Sequence, residues 1–301
     1  MQSPSGEQVE IVHDDQRAVV VEVGGGLRSY SVADRDVLDG YGAGEMCASG
    51  RGQVLMPWPN RLEDGSYRFE GRDHQLPLTE PDNRNAIHGL VRWASWRVAE
   101  REDARVVMEH VIRPQPGYPF TVGLTIAYVL SDLGLAVRST ATNLGETRCP
   151  FGAGAHPYLK LDAASIDSLS LHVPAASVIT SGERSLPNGS IAVAGSEFDF
   201  RRPRPVGALA LDNCFTELER DGDGRARVGL HDPSGRSAML WVGEGYDYVM
   251  VFSGDPLPDV ARRSIAVEPM TCPPNAFRTG QSLITLEPGA AFTAEWGIEC
   301  L

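Results

Sequence analysis

No apolar run in this 301-residue chain approaches the roughly 20 residues that a bilayer-spanning helix needs. The opening stretch MQSPSGEQVE has neither a basic n-region nor an apolar h-region. Together these absences point away from a membrane partner and lead us to expect a soluble, cytoplasmic protein. Positive charge is scarce, with 27 Lys plus Arg against 40 Asp plus Glu and a formal net charge of -13. Such a chain is repelled by phosphate backbones and by anionic lipid, so nucleic acid is also a poor partner. The five cysteines, Cys47, Cys149, Cys214, Cys272 and Cys300, are odd in number and include no CxxC pair. Neither a disulfide framework nor a zinc knuckle is suggested, and they read as small buried residues or incidental thiols. There is no long Pro/Ser/Gly linker, and no repeat at the spacing of a solenoid or propeller.

What is present in abundance is turn chemistry. With 32 Gly and 21 Pro between many short apolar runs, the chain cannot sustain long helices. Thr121 to Leu130, Gly134 to Thr140, Tyr248 to Ser253 and Ala291 to Ile298 are rich in β-branched and aromatic residues, several alternating with period two, and are predicted strands. Val19 to Val32 reads as a hairpin turning through Gly24, Gly25 and Gly26, where positive φ is cheap. A phosphate-binding reading of these glycines lacks the helix that should follow. Ser181 to Ser190 reads as a surface excursion. The expectation is one all-β domain over residues 1–301, with residues 1–10 a flexible extension, built from stacked, mostly antiparallel sheets whose concave face can hold a ligand.

Polar, reactive side chains concentrate in loop-like clusters rich in Pro, Gly and aromatics, a composition suited to a rigid binding face. Pro57 to Arg61 (PWPNR) restrains the backbone around Trp58 and presents Asn60 and Arg61; a turn with a surface arginine is the plainer reading. Asn85 to Trp93 (NAIHGLVRW) places His88 before Gly89, which leaves room for close approach, although a lone histidine is commonly a hydrogen-bonded structural residue. Trp93 and Trp96 can stack on a sugar or simply pack. Gly152 to Leu159 (GAGAHPYL) sets His156 among small residues and before Pro157, which reads as an accessible imidazole in a fixed position. In Leu211 to Thr216 (LDNCFT), Asp212 is either a turn residue or a binding group. In Ala266 to Phe277 (AVEPMTCPPNAF), Glu268 is expected at the end of a strand that Pro269 stops.

His88, His156, Asp212, Glu268 and Arg61 permit several chemistries. A metal site would need ligands from separate loops, since no HxH or HExxH pair supplies two from one element. A glycoside hydrolase could use Asp212 and Glu268 as its carboxylate pair but leaves the histidines idle. Proton shuttling between one acid and one base of different types is the third possibility.

At these residues the sequence resembles the aldose 1-epimerase (mutarotase) family, whose members carry PxxNR, NxxHG, HPY and DxxF segments and a late strand ending in EP, in this order. They stand here as Pro57 to Arg61, Asn85 to Gly89, His156 to Tyr158, Asp212 to Phe215 and Glu268 to Pro269, and the match runs roughly from residue 15 to 299. The resemblance implies a β-supersandwich, no metal or organic cofactor, and a monosaccharide substrate, an aldohexose, bound by a monomer or homodimer. Carried over by motif, it implies Glu268 as general base, His156 as general acid, and Arg61, His88 and Asp212 as groups that position the hydroxyls and ring oxygen, with Asn60 beside them. Interconverting anomers needs only an acid and a base: the bond from C1 to the ring oxygen breaks, the aldehyde rotates, and the ring recloses. Burial should raise the Glu268 pKa, and the nearby carboxylate should favour a charged His156. A hexose-6-phosphate 1-epimerase would draw further on Arg84, Arg92, Arg97, Arg201, Arg202 or Arg204. A non-catalytic sugar-binding protein on the same fold would not require both Glu268 and His156.

Overall fold

The computed structural model describes residues 3–257 and 260–300. Among them the one α-helix is the single turn Ala276–Thr279, and every paired strand in the sheets runs antiparallel to its neighbour. Val122–Ser131 shows how the sequence dictates this. Its side chains alternate strictly between buried and half-buried, so one face of the strand meets the core and the other the solvent side. It lies in a nine-stranded sheet, between Arg105–Ile112 and Gly134–Asn143. Ala291–Cys300 then joins Gly134–Asn143 to Ser237–Val242 and so closes the middle of that sheet.

A second large sheet carries the residues of interest. Ile265–Met270 is buried along its whole length, as expected of a central strand covered on both faces. It pairs with Tyr248–Phe252 on one side and with the short strands Gly154–Ala155 and Tyr158–Leu159 on the other. Asp212–Leu218 pairs with the far side of Tyr248–Phe252. The main hydrophobic core runs from Val9 to Ile298, a smaller cluster gathers Ile179, Cys214, Tyr248, Met250 and Met270, and Cys47, Cys149, Cys214 and Cys272 are all buried thiols. No helix of the described residues is long and apolar enough to cross a membrane.

The glycine hairpin forms as predicted: Gln16–Val21 pairs with Leu27–Val32, and Gly24 and Gly25 take φ of 85° and 60°. Three expectations give way. Residues 1 and 2 lie outside the described residues, but the expected flexible extension does not reach residue 10. Gln8–His13 is a strand paired with Gln16–Val21, and Val9 is fully buried. Ser181 to Ser190 is not merely a surface excursion, because Pro187–Ala192 continues as an edge strand paired with Ala175–Ser181. Most consequentially, Pro269 does not stop its strand, which continues through pairs Val249 with Pro269 and Tyr248 with Met270. Proline is tolerated there because the neighbour on its other side is interrupted between Ala155 and Tyr158, so no ladder pair is demanded of Pro269 on that side.

An ion-pair cluster around the buried Asp39 braces the loop that leads into the site. Asp39 accepts from Arg51 at 3.1 Å and from Ser264 at 2.8 Å, and its other oxygen meets Arg263 at 2.8 Å. Burial opposes its ionisation, but the hydrogen bonds from Arg263 and Ser264 and the charges of Arg51 and Arg263 hold the carboxyl below its usual range. A depressed carboxylate pKa contributes stability that is present above the unfolded-state value and is lost as pH falls through the folded one. Asp39→Asn leaves Arg51 buried without a counter-charge and is expected to cost about 3–5 kcal/mol in urea unfolding at neutral pH. The difference from the parent should shrink as acid protonates Asp39.

Candidate active site

The interruption opposite Pro269 is where the chemistry collects. His156 falls in the gap between Gly154–Ala155 and Tyr158–Leu159, and its backbone turns away to the other side: its N–H donates to Gln53 O at 3.0 Å, and its carbonyl accepts from Gly52 at 2.9 Å. This frees its side chain to face Glu268 in the unbroken central strand, with Nε2 3.2 Å from Glu268 Oε1. Both side chains are buried, His156 6% and Glu268 2% exposed, so the expected accessible imidazole and strand-end carboxylate are instead an interior pair. Glu268 Oε2 and His156 Nδ1 are buried and have no hydrogen-bond partner among the described residues. Buried polar atoms left open cost free energy, which concentrates interest on what else they can bind.

The imidazole of His156 is held from three directions. It stacks on the Tyr158 ring at 5.0 Å and 14°, and it meets His88 edge-on at 5.3 Å. Tyr158 is fixed in turn by its hydroxyl on Ser49 O and by the Arg51 guanidinium 4.6 Å above its ring. Gly50, at φ 74°, closes the remaining side: a Cβ there would lie 2.7 Å from His156 Cδ2. Gly50→Ala is therefore strained and pushes the ring off its position. We expect a loss of about tenfold or more in kcat if His156 acts on substrate, measured by polarimetric anomer exchange with circular dichroism to confirm folding.

His88 and Asn60 lock one another. Asn60 N–H donates to His88 Nδ1 at 3.2 Å, and His88 N–H donates to Asn60 O at 2.9 Å. Both take positive φ, 55° and 63°, conformations that non-glycine residues keep only where the surroundings enforce them. With Nδ1 accepting, the proton of the neutral ring sits on Nε2, leaving a donor for a ligand. Gly89 permits the turn, since a Cβ there would lie 2.0 Å from Met56 O.

Arg61 starts the strand Arg61–Glu63 and is gripped by Glu80, with Nε to Oε2 and Nη2 to Oε1 both at 3.1 Å, while Nη1 lies 3.7 Å from Asp212 Oδ2. Glu80 also accepts from Asn85 Nδ2 at 2.8 Å. Asn275, from the PPNAF end of the last cluster, ties this region to Glu268's segment: its N–H donates to Arg61 O at 2.7 Å, and its Oδ1 accepts from Glu63 N at 3.1 Å. Thus all five predicted residues converge. Glu80, Asn275 and the Asp39–Arg51 brace were not singled out by sequence reading, because each acts through a partner distant in the chain. Trp96 is a core residue packed against Gly25, whereas Trp93 is exposed.

Electrostatics depart from expectation in one respect. Burial, reinforced by the charge of Asp212, raises Glu268 well above the ordinary carboxylate value. Burial first, then the charges of Arg92, Arg51 and Arg61, pulls His156 down to about 3, so desolvation overrides the neighbouring carboxylate that was expected to favour imidazolium. His88 is likewise held well below its usual value by burial and by the His156 and arginine charges. Asp212 is raised, burial outweighing Arg61. His88 and His156 from two loops and Glu268 from the central strand also present ligand atoms within 4.8 Å of one another, close enough to share a metal ion.

The family model for aldose 1-epimerase matches residues 7–299. This chain belongs to the aldose 1-epimerase family. The epimerase-family chain is 33% identical over 286 residues to the Escherichia coli (strain K12) protein YihR, covering 95% of this chain and 90% of that one. Its fold is similar to that of the GalM/aldose epimerase homologue from C. elegans, with TM-score 0.87 and 16% identity over 98% of each chain. It is similar also to galactose 1-epimerase from Lactobacillus acidophilus, with TM-score 0.81 and 20% identity, covering 97% and 94% of the two chains. The β-supersandwich expected of an aldose 1-epimerase is thus the fold observed.

Proposed function

We propose that this protein interconverts the α and β anomers of a hexose by acid–base ring opening and reclosure, with Glu268 and His156 exchanging protons with the anomeric hydroxyl and the ring oxygen. The observation that carries this reading is the buried 3.2 Å pair with one free polar atom on each partner. In the charge-separated form, the Glu268 carboxylate takes the anomeric proton as the His156 imidazolium protonates the ring oxygen. The bond from C1 to that oxygen breaks, its electrons stay on the oxygen, and C1 becomes an aldehyde. The pair is then neutral, a carboxylic acid facing an imidazole. Rotation about C1 to C2 and reversal of both proton transfers close the ring on the other face.

Burial gives this cycle its direction of bias. A dry site disfavours separated charge, and the directions of the Glu268 and His156 shifts both favour the neutral pair. That is the protonation state ring opening produces, so the environment that raises one pKa and lowers the other also stabilises the open-chain complex. His88 donates through Nε2 to the ring oxygen or a hydroxyl, while Arg61, held by Glu80, and Asp212 orient the remaining hydroxyls. The same residues serve a hexose-6-phosphate epimerase, which differs only in what meets the substituent beyond the ring.

An anomer-exchange screen by polarimetry or NMR across neutral, phosphorylated and acidic hexoses tests the proposal; exchange no faster than the spontaneous rate for all of them would overturn it. Saturable sugar binding without faster exchange would assign a sugar-binding protein instead. Loss of activity on EDTA treatment, restored by a divalent ion, would move the chemistry to the His88, His156 and Glu268 triad as metal ligands.

A further inference from the structure

The excursion between Ala175–Ser181 and Pro187–Ala192 is anchored on the turn that carries Glu80. Ala175–Ser181 pairs with Asp212–Leu218, the last pair being Ile179 with Cys214, so the chain leaves the sheet at the end where Asp212 begins. It makes the short 3-10 turn Glu183–Ser185, closed by Gly182 N–H donating to Leu186 O at 2.9 Å, and returns as the edge strand. Within the turn Arg184 and Ser185 both hold positive φ, 65° and 54°. Residues other than glycine keep that conformation only where contacts enforce it.

Arg184 supplies those contacts. Its Nε donates to Asn83 O at 2.7 Å, and its Nη2 is shared among Arg84 O at 2.8 Å, Asp64 Oδ1 at 3.0 Å and Asn85 Oδ1 at 3.2 Å. Its own carbonyl accepts from Asn85 Nδ2 at 3.1 Å, and its Nη1 lies 3.8 Å from Glu63, in the strand that Arg61 starts. A planar fork of donors can meet several acceptors at once, which an ammonium on a flexible stem does poorly. The fastening bears on the site through Asn85. That side chain is fully buried and committed on both sides, since Nδ2 donates to Glu80 Oε2 at 2.8 Å as well as to Arg184 O. Glu80 in turn grips Arg61, whose Nη1 lies 3.7 Å from Asp212. A chain of polar contacts therefore runs from Arg184 through Asn85 and Glu80 to Arg61. Such networks hold their members in one arrangement only while every link is made.

We propose that Arg184 is a positioning residue for the ring-opening reaction: it locks the excursion onto the turn Pro81–Asn83 and the two residues that follow it, so that Glu80 presents Arg61 to the sugar in one orientation. The sugar rests on the epimerase reading above; the lock rests on the contacts. Arg184 touches neither the sugar nor the reacting atoms and acts only through Asn85 and Glu80. A small displacement of an orienting group is enough to slow a reaction that depends on alignment.

The test compares the parent with Arg184→Ala, Glu80→Gln and the double variant by NMR anomer exchange, on the hexose that the screen above shows to be exchanged fastest and well below each melting temperature. Arg184→Ala should lower kcat/KM by about 10- to 10²-fold, with KM raised about three- to tenfold. In the Glu80→Gln background the same substitution should cost less than about twofold, because the route to Arg61 is already cut. An unchanged KM, with a lower melting temperature as the main effect, would make Arg184 a merely structural residue and overturns the proposal. A loss of equal size in the two backgrounds overturns it as well. If the parent accelerates exchange of no hexose, the epimerase reading falls, and calorimetric binding of the same hexoses takes the place of KM. Affinity that Arg184→Ala weakens in the parent but not in Glu80→Gln then supports the lock; affinity unchanged by Arg184→Ala, or no binding by the parent, overturns it. Should Arg184→Ala not fold, Arg184→Lys, which retains the charge but not the fork, decides by the same comparison.

Discussion

Glu268→Gln is expected to lower kcat for anomer exchange by about 10²- to 10⁴-fold while leaving the protein folded. The substitution keeps the shape of the side chain and an oxygen that can face His156 Nε2 at the 3.2 Å separation, and removes only the capacity to take and return a proton. Its effect on stability should have the opposite sign to its effect on rate. Because the folded-state pKa of Glu268 is raised, the fold favours the protonated acid; the parent is most stable below the unfolded-state pKa of about 4.3 and loses stability as pH rises toward the folded value. Glutamine does not titrate, so the variant should match the parent in acid and melt higher than it in alkali. Residual activity within threefold of the parent by polarimetry would remove Glu268 from the chemistry, and a melting difference that does not grow with pH would show that the carboxyl is not held protonated.

His156→Asn should cost a similar factor, about 10²- to 10⁴-fold in kcat, and the pH profile of the parent shows why the two residues form a unit. The active state holds one proton shared between Glu268 and His156. It gains a second only when pH falls to the depressed imidazole value of about 3, and it loses the first only when pH exceeds the raised Glu268 value. The kcat/KM profile should therefore stay flat through pH 6.5, the ordinary imidazole value, and fall on the alkaline side. An acid limb centred near 6.5 would mean that water reaches the pair and that the bias toward the neutral form is absent. Stability supplies a second readout. In the unfolded chain His156 protonates as pH falls through about 6.5, but in the fold it does not until about 3, so the parent loses stability across that window. His156→Asn should lack this decline, even though loss of the ring stacked on Tyr158 lowers its stability at neutral pH.

Much of the scaffold is visible in local pattern. Val122–Ser131 declares itself as a half-buried strand because period-two alternation is a property of neighbouring residues alone. The glycine hairpin is equally local, since positive φ at Gly24 and Gly25 follows from the absence of a side chain. Pro269 misleads for the converse reason. Whether a proline ends a strand depends on what its missing N–H would have faced, and here it faces the interruption around His156. The buried strand at Val9 was hidden in a polar-looking terminus, because its burial comes from pairing with Gln16–Val21 and packing on the core rather than from its own composition.

The sequence by itself determined the antiparallel β architecture and the identity and order of Arg61, His88, His156, Asp212 and Glu268, because strand period, turn residues and side-chain chemistry are carried by short stretches of chain. The tertiary structure decided everything that depends on distance through space. It brought Glu268 to 3.2 Å from His156, bound Arg61 to Glu80, and turned an expected imidazolium into a neutral ring. Protonation states and ion pairs are set by which groups are withdrawn from water together and which charges remain beside them, and in a sheet built from distant strands those neighbours exist only after folding.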